Sequence, residues 1–253
     1  MTKLNDILIT FEPITLAEMS DIRLMNRIDT KFVTTQEKLL QLLQMAHDDY
    51  WAQDIDGVRL SRYDTTYFDT DDFAMYRIHQ AGHCGRQKMR FRTYVGSNLQ
   101  FMEVKTKNNH GRTKKKRIKV GDMDLADAVK REFLADHLRY DIETLQPAIR
   151  NNFDRITLVN RAKTERLTID TGLKFFNLVS GKNLEMGPLV IIELKRDGLC
   201  YSPVLEMLRQ LRIHPHGFSK YCMGSALTNS QLPVNRFKPK LIDVRKILAS
   251  ASS

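Results

Sequence analysis

Apolar and polar residues alternate with a period of two through much of this chain, and in several of those stretches the polar positions are cationic. In Lys88-Met89-Arg90-Phe91-Arg92-Thr93-Tyr94 the basic residues fall on every second position. On a strand they share one face of the sheet, while Met89 and Phe91 share the other. Phe101-Met102-Glu103-Val104-Lys105-Thr106-Lys107 repeats the pattern, with Glu103, Lys105 and Lys107 together. Ile191-Ile192-Glu193-Leu194-Lys195 repeats the Glu-x-Lys spacing, and Arg27-Ile28-Asp29-Thr30-Lys31 sets Arg27, Asp29 and Lys31 on one side. A single such strand is usually a solvated face of a half-buried sheet. Recurrence along one chain favours the other explanation, the wall of a site for a highly charged anion.

The remaining pattern fills in helices and further strands. Thr15 is placed as the N-cap of a short helix at 16–19, and Thr34-Thr35 opens an amphipathic helix to residue 43. Strand spacing covers 58–69, followed by a helix at 73–79. Val95-Gly96-Ser97-Asn98 is read as the hairpin link between the first two cationic strands, and Asn108-Asn109-His110-Gly111 as the link to a third at 112–120. Helical spacing marks 125–138 and 145–149. Residues 155–161 and 166–170 form a tight hairpin, with more strands near 174–178 and 189–195 and a closing helix at 203–211. Asp48-Asp49-Tyr50-Trp51 reads as a helix end, and residues 231–253 as an extended C-terminal arm. The predicted class is α+β: one domain over 1–253, core about 11–228, built on an antiparallel β-barrel with flanking helices. A barrel leaves no open edge. With Lys, Arg and Glu pointing inward its interior is a charged tunnel, which needs an anion, water or counter-charges to satisfy it.

Composition sharpens this. Forty Lys plus Arg against thirty Asp plus Glu give a net charge of +10, which favours polyanionic partners. Nucleic acid fits poorly, because the cations are interleaved with glutamates and lack regular aromatic neighbours to stack bases. Three cysteines without a Cys-x-x-Cys pair indicate neither a disulfide framework nor a zinc ribbon. His79, His83 and Cys84, and His214 with His216, lack a fourth ligand at usable spacing and are read as structural or solvated. The longest apolar run, near 188–192, is too short to span a bilayer, and no signal pattern opens the chain; the protein is read as cytoplasmic, with no membrane segment of its own.

The ordered set Arg27…Lys31, Tyr67-Phe68-Asp69-Thr70, Lys88-Met89-Arg90-Phe91-Arg92, Glu103-Val104-Lys105, Asn160-Arg161, Arg166-Leu167-Thr168-Ile169-Asp170, Glu193-Leu194-Lys195 and Phe218-Ser219-Lys220-Tyr221 resembles the polyphosphate polymerase (VTC) domain family of the triphosphate tunnel metalloenzymes. The match spans about 11–228. The resemblance implies that Lys31, Arg90, Arg92, Lys105, Arg161, Arg166 and Lys220 line a phosphate-binding tunnel, and that Glu193 coordinates Mn2+ or Mg2+. It also implies a metal-dependent polyphosphate polymerase that transfers the gamma-phosphate of ATP to a growing polyphosphate chain. Met25-Asn26-Arg27 departs from the family, where an acidic residue commonly precedes the arginine, and the hairpin between Arg161 and Arg166 is short. No inositol-phosphate-sensing domain is read from the sequence, so a membrane-protein partner for export would be a separate chain.

The residue types suit that chemistry. Phosphoryl transfer is mostly positioning and charge neutralisation. Arginine offers a planar fork to phosphate oxygens and lysine a compact point charge, while a carboxylate supplies the hard oxygen that magnesium or manganese prefers. Glu103 is a second metal ligand or, as favoured here, a partner for a neighbouring lysine. In Lys114-Lys115-Lys116-Arg117 consecutive charges fall on both faces, so at least half are exposed. Two other functions share these residues: hydrolysis of triphosphate or a nucleoside triphosphate in the same tunnel, and non-catalytic polyphosphate binding. Fold alone does not separate them.

Overall fold

The alternating segments pair into one antiparallel sheet, seen in a computed structural model that describes residues 3–20, 22, 27–109 and 113–249. Met25, Asn26 and Arg112 lie outside the described residues, as do His110 and Gly111. The strands are β1 (Pro13–Ile14), β2 (Arg27–Thr35), β3 (Tyr50–Gln53), β4 (Ser61–Thr70), β5 (Arg86–Tyr94), β6 (Leu99–Lys107), β7 (Thr113–Val120), β8 (Leu145–Asn160), β9 (Glu165–Asn177), β10 (Asn183–Glu185) and β11 (Leu189–Asp197). The helices are α1 (Lys3–Thr10), α2 (Leu16–Ser20), α3 (Gln36–Ala46), α4 (Ala74–Gln80), α5 (Ala128–His137), α6 (Pro203–Gln210), α7 (Lys220–Thr228) and α8 (Lys238–Ala249).

The main path of the sheet runs β2-β11-β9-β8-β4-β5-β6-β7. Register shifts at Tyr67/Phe68 and between Asn152 and Asp154 increase the local twist of the long strands, as bulges do. The sheet curls strongly. Lys31 on β2 and Lys88 on β5 are five strands apart, roughly 24 Å in a flat sheet, yet their ammonium groups bond to the adjacent residues Phe218 and Ser219. The expected α+β fold, a curled antiparallel sheet with flanking helices, is therefore present. Its end strands β2 and β7 do not pair with each other among the described residues, so the curl is a half-barrel whose ring is not closed by backbone hydrogen bonds.

Each face has its own cover. On the convex side, α1, α3 and α6 pack over Ile156, Leu158, Leu167, Ile169, Ile192 and Leu194, while α5 covers Met89, Phe91, Met102 and Val104. The helix starts follow from local chemistry. Thr15 and Glu18 form a reciprocal capping box, Thr15 N to Glu18 Oε2 at 2.8 Å and Glu18 N to Thr15 Oγ1 at 3.3 Å, and Thr35 accepts from Lys38 N.

At one end of the concave side lies an apolar plug. Tyr221 and Met223 of α7 and Leu241 and Val244 of α8 pack with Tyr67, Ile149, Phe153, Leu173 and Phe175 of the sheet. A Cβ on Gly224 would stand 2.5 Å from Phe175 and 2.7 Å from Ile149, so only glycine lets α7 lie this close.

Three expectations are corrected here. Residues 145–149, spaced like a helix, begin β8, where Gln146 pairs with Asp69 and Ile149 with Tyr67; both faces of this strand end are covered, so its apolar residues need not alternate. Tyr50 and Trp51 open strand β3, which pairs with β8. The segment expected as an extended arm contains α8, docked through Leu241 and Val244. No helix among the described residues is long and apolar enough to cross a membrane.

Candidate functional site

Above the plug, the concave face carries the charged positions in register. Lys31 stands opposite Glu193, which stands opposite Thr168. Farther round the sheet Arg90 is opposite Glu103, itself opposite Arg117, and Lys88, Lys105 and Lys115 form a parallel row. The alternation that makes β5 and β6 amphipathic thus aims their cations inward, together with Phe101, and aims Met89, Phe91, Met102 and Val104 at α5.

Three carboxylates hold these cations apart. Glu103 is fully buried; its Oε2 accepts from Arg90 Nε at 2.6 Å and lies 2.5 Å from Nη2, and its Oε1 takes Lys115 Nζ at 3.2 Å. Burial alone would raise its pKa, but Arg90, Arg92, Lys115 and Lys105 hold it well below the usual carboxylate range. Asp170 receives Arg155 through Nε at 2.6 Å and Nη2 at 2.8 Å, and also receives Lys220. Against the opposing effect of burial, these two cations likewise keep it ionised. Glu193 meets Lys195 at 2.6 Å and Lys31 at 4.0 Å; they outweigh its burial and hold it far below the ordinary range.

The cations are correspondingly frustrated. Lys105 is pushed well below its ordinary value by Arg90, then by burial and Arg92. Burial lowers Lys88. It also brings Lys220 down to about 8, with Arg155 adding to the shift and Asp170 opposing it. Arg92 falls to about 10 through burial and its neighbours Arg90 and Arg155. Lys220 Nζ sits 4.1 Å from the Phe153 ring centre. Ser219, the N-cap of α7, accepts from Lys88 at 2.8 Å, while Lys31 donates to Phe218 O at 3.1 Å. The segment entering α7 thus ties β2 to β5 across the opening.

Of the residues expected here, Lys31, Arg90, Arg92, Lys105, Glu193 and Lys220 converge on this chamber. Arg166 sits opposite Lys195 toward one end of the sheet, where its Nη2 donates to Met19 O at 3.2 Å and its buried Nε has no protein partner. Arg161 does not join the group. It follows β8 in the turn to β9, pairs with Glu12 at 2.5 Å and lies 4.8 Å over the Trp51 ring. Lys116 is exposed opposite Val104, on the convex side, whereas Lys115 and Arg117 face inward.

The residues that the resemblance assigns to the tunnel do not include Arg155, Asp170, Lys88 or Lys195, although alternation already sets Lys88 and Lys195 on the charged faces. A signal existed for the first pair: the predicted hairpin, read outward from its turn, places Arg155 opposite Asp170.

A hard divalent cation shared with phosphate would need a carboxylate oxygen not already committed to a cation. No group of three His, Cys, Asp or Glu capable of holding a metal is found among the described residues. Glu103 and Asp170 each hold two cations closely, whereas Glu193 holds Lys195 at 2.6 Å and Lys31 only at 4.0 Å through Oε1, so Glu193 is the carboxylate that would hold it. Magnesium commonly binds through one or two carboxylates together with substrate phosphates and water.

The VTC domain family model matches residues 26–229. No curated protein matches the chain. Among solved structures, a candidate adenylate cyclase from Bacillus halodurans shares 17% identity at a TM-score of 0.49, covering 77% of this chain and 96% of its own. HpAC1 from Hippeastrum, an adenylyl cyclase candidate described as having a dominant triphosphatase activity, shares 15% identity at a TM-score of 0.48, covering 82% of this chain and 98% of its own. With 26–229 matched and the ordered motifs in one curled sheet, the chain belongs to the VTC domain family.

Proposed function

We propose that the chamber is the active site of a metal-dependent polyphosphate polymerase that uses ATP as phosphoryl donor. The observation that carries this reading is the surplus of inward cations: among the described residues Lys31, Lys88, Arg90, Arg92, Lys105, Arg155, Lys195 and Lys220 surround Glu103, Asp170 and Glu193, with Asp29 at the edge opposite Lys195 and already paired with Arg27. Partly compensated buried cations are costly, and a chain of phosphates supplies the missing negative charge along its length. Arg90, Arg92 and Arg155 would grip phosphate oxygens with planar forks, and Lys31, Lys105 and Lys220 would close the ring from facing elements. Glu193 would hold Mn2+ or Mg2+, which supplies charge neutralisation at bridging phosphate oxygens. The test is incubation with gamma-labelled ATP and manganese, resolving long chains and free phosphate on one gel. A ladder of long polyphosphate is expected; free phosphate without a ladder would replace the polymerase by a hydrolase.

The hydrolase reading has one specific support. The plug of α7 and α8 fills one end of the concave face, so a growing polymer would leave by the remaining mouth or between β2 and β7, whereas hydrolysis needs no through passage. Binding without turnover is the third outcome of the same gel, read beside a polyphosphate affinity measurement.

Two expected results follow. Arg155→Ala should weaken tripolyphosphate binding by at least about tenfold, the scale of a lost charged hydrogen bond, while Arg161→Ala should change it by less than about twofold. Calorimetric titration checks both, and equal losses would return Arg161 to the chamber. Affinity should also fall as pH rises from 7 to 9. Lys220 at about 8 and the depressed Lys105 and Lys88 are lysines whose charge is lost above their folded pKa, and that charge attracts the ligand. A flat profile over this window would mean that these lysines do not face the phosphate chain.

A further inference from the structure

Tyr67 stands at the junction of the chamber and its plug. Its ring stacks on Tyr221 of α7, centres 5.2 Å apart, and its hydroxyl lies 3.1 Å from Arg90 Nη1, which donates to it. The side chain is almost fully buried, at 6% exposure, and it shares the concave face with Arg90, directly opposite on β5. A neutral phenol is an unusual neighbour for so many cations, since it offers them no full negative charge.

We infer that the Tyr67 hydroxyl is a proton-exchanging ligand of the phosphate chain: at alkaline pH, with no anion bound, it acts as counter-ion to the surrounding cations, and it donates its hydrogen to a phosphate oxygen when a phosphate chain is bound. This rests on the phosphate-binding reading of the chamber. The exchange balances simply. A phenolate takes one proton from water as the polyanion arrives, because the phosphates now neutralise the charges that had favoured the phenolate; no bond other than O–H forms or breaks.

The groups facing Tyr67 from each side point the same way. From β5 come Lys88, Arg90 and Arg92; from α7 come Lys220 and Tyr221; β8 offers Ile149 directly opposite. Glu103 and Lys105 of β6 lie behind Arg90, and Glu103 is already shared between Arg90 and Lys115. Asp69, two residues along β4, is committed to the Tyr221 hydroxyl and to the amides of Thr70, Met75 and Tyr76. Burial raises the Tyr67 pKa, but Arg90, Arg92, Lys88 and Lys220 overcome it and bring the phenol down to about 8. The buried Tyr50 and Tyr221 are shifted upward instead, by burial and by the carboxylates Glu165 and Asp69 respectively.

The test is an ultraviolet pH titration of the phenolate band near 295 nm, without metal, in the presence and absence of inorganic tripolyphosphate, for the wild-type chain and Tyr67→Phe. The wild type should show a one-tyrosine step near pH 8 that tripolyphosphate moves upward by a full pH unit or more, and Tyr67→Phe should lack the step. By calorimetry at pH 7 the variant should bind tripolyphosphate roughly 2- to 12-fold more weakly, the scale of one hydrogen bond. That loss should shrink above pH 8, where the wild type must first take up its proton; a purely structural role would keep it constant. Tight binding with no early step, or with a step that tripolyphosphate leaves in place, overturns the inference alone. An absence of tripolyphosphate binding overturns the phosphate reading of the chamber and this inference with it.

Discussion

Glu193→Gln is expected to lower turnover of ATP by at least about 10²-fold, the scale of removing one group that stabilises transferring charge, while leaving polyphosphate affinity unchanged or slightly higher. The two halves have different causes. Glu193 is the chamber carboxylate with an oxygen loosely held, Oε1 standing 4.0 Å from Lys31 while Oε2 holds Lys195 at 2.6 Å, so it is the group able to share a divalent cation with phosphate. The same carboxylate repels a polyanion, and an amide of equal size removes that repulsion and keeps an acceptor for Lys195. Affinity therefore should not fall when catalysis does. The check pairs turnover of labelled ATP with calorimetric binding of polyphosphate. Retained turnover would remove the metal role from Glu193, and a parallel loss of binding would make it a structural partner of Lys31 and Lys195.

That division of labour was only partly legible in the sequence. Period-two alternation on β5, β6 and β11 fixed which side chains share a face, because strand geometry leaves no other choice, and the inward set Arg90, Arg92, Lys105 and Glu193 followed. Arg161 was misplaced by its neighbourhood. It lies one residue beyond β8, where alternation no longer constrains direction, and Glu12 with Trp51 draws it away. In Lys114-Lys115-Lys116-Arg117 the cations occupy both faces, so composition could not choose the inward pair; the register with Glu103 and Lys105 does. Helix α7 was invisible for a different reason. It is buried on several sides and carries no broad polar face, so it lacks the amphipathic period by which helices are found. The plug, and with it the argument about where a polymer can leave, became readable only in three dimensions.

Glu103→Gln is expected to be the most destabilising single change in the chamber. The carboxylate is fully buried and ion-paired with Arg90 at 2.5 Å and Lys115 at 3.2 Å, and Arg92 and Lys105 feel the same charge. Removing one member of a buried pair costs roughly 3–5 kcal/mol, because the partner charge stays behind without compensation. For a chain of this length each kcal/mol moves Tm by about 2–4 °C, so a fall of the order of 6–20 °C is expected in a thermal melt. Two companion measurements separate charge from shape. Replacing Arg90 and Glu103 together by methionines should recover much of the loss, since apolar substitution of a whole buried pair is often close to neutral. Tripolyphosphate should raise the Tm of Glu103→Gln by more than that of the wild type, because a bound anion restores the negative charge that the mutation removes. Equal ligand shifts in both proteins would place the phosphate chain away from Arg90 and make Glu103 a support of the sheet alone.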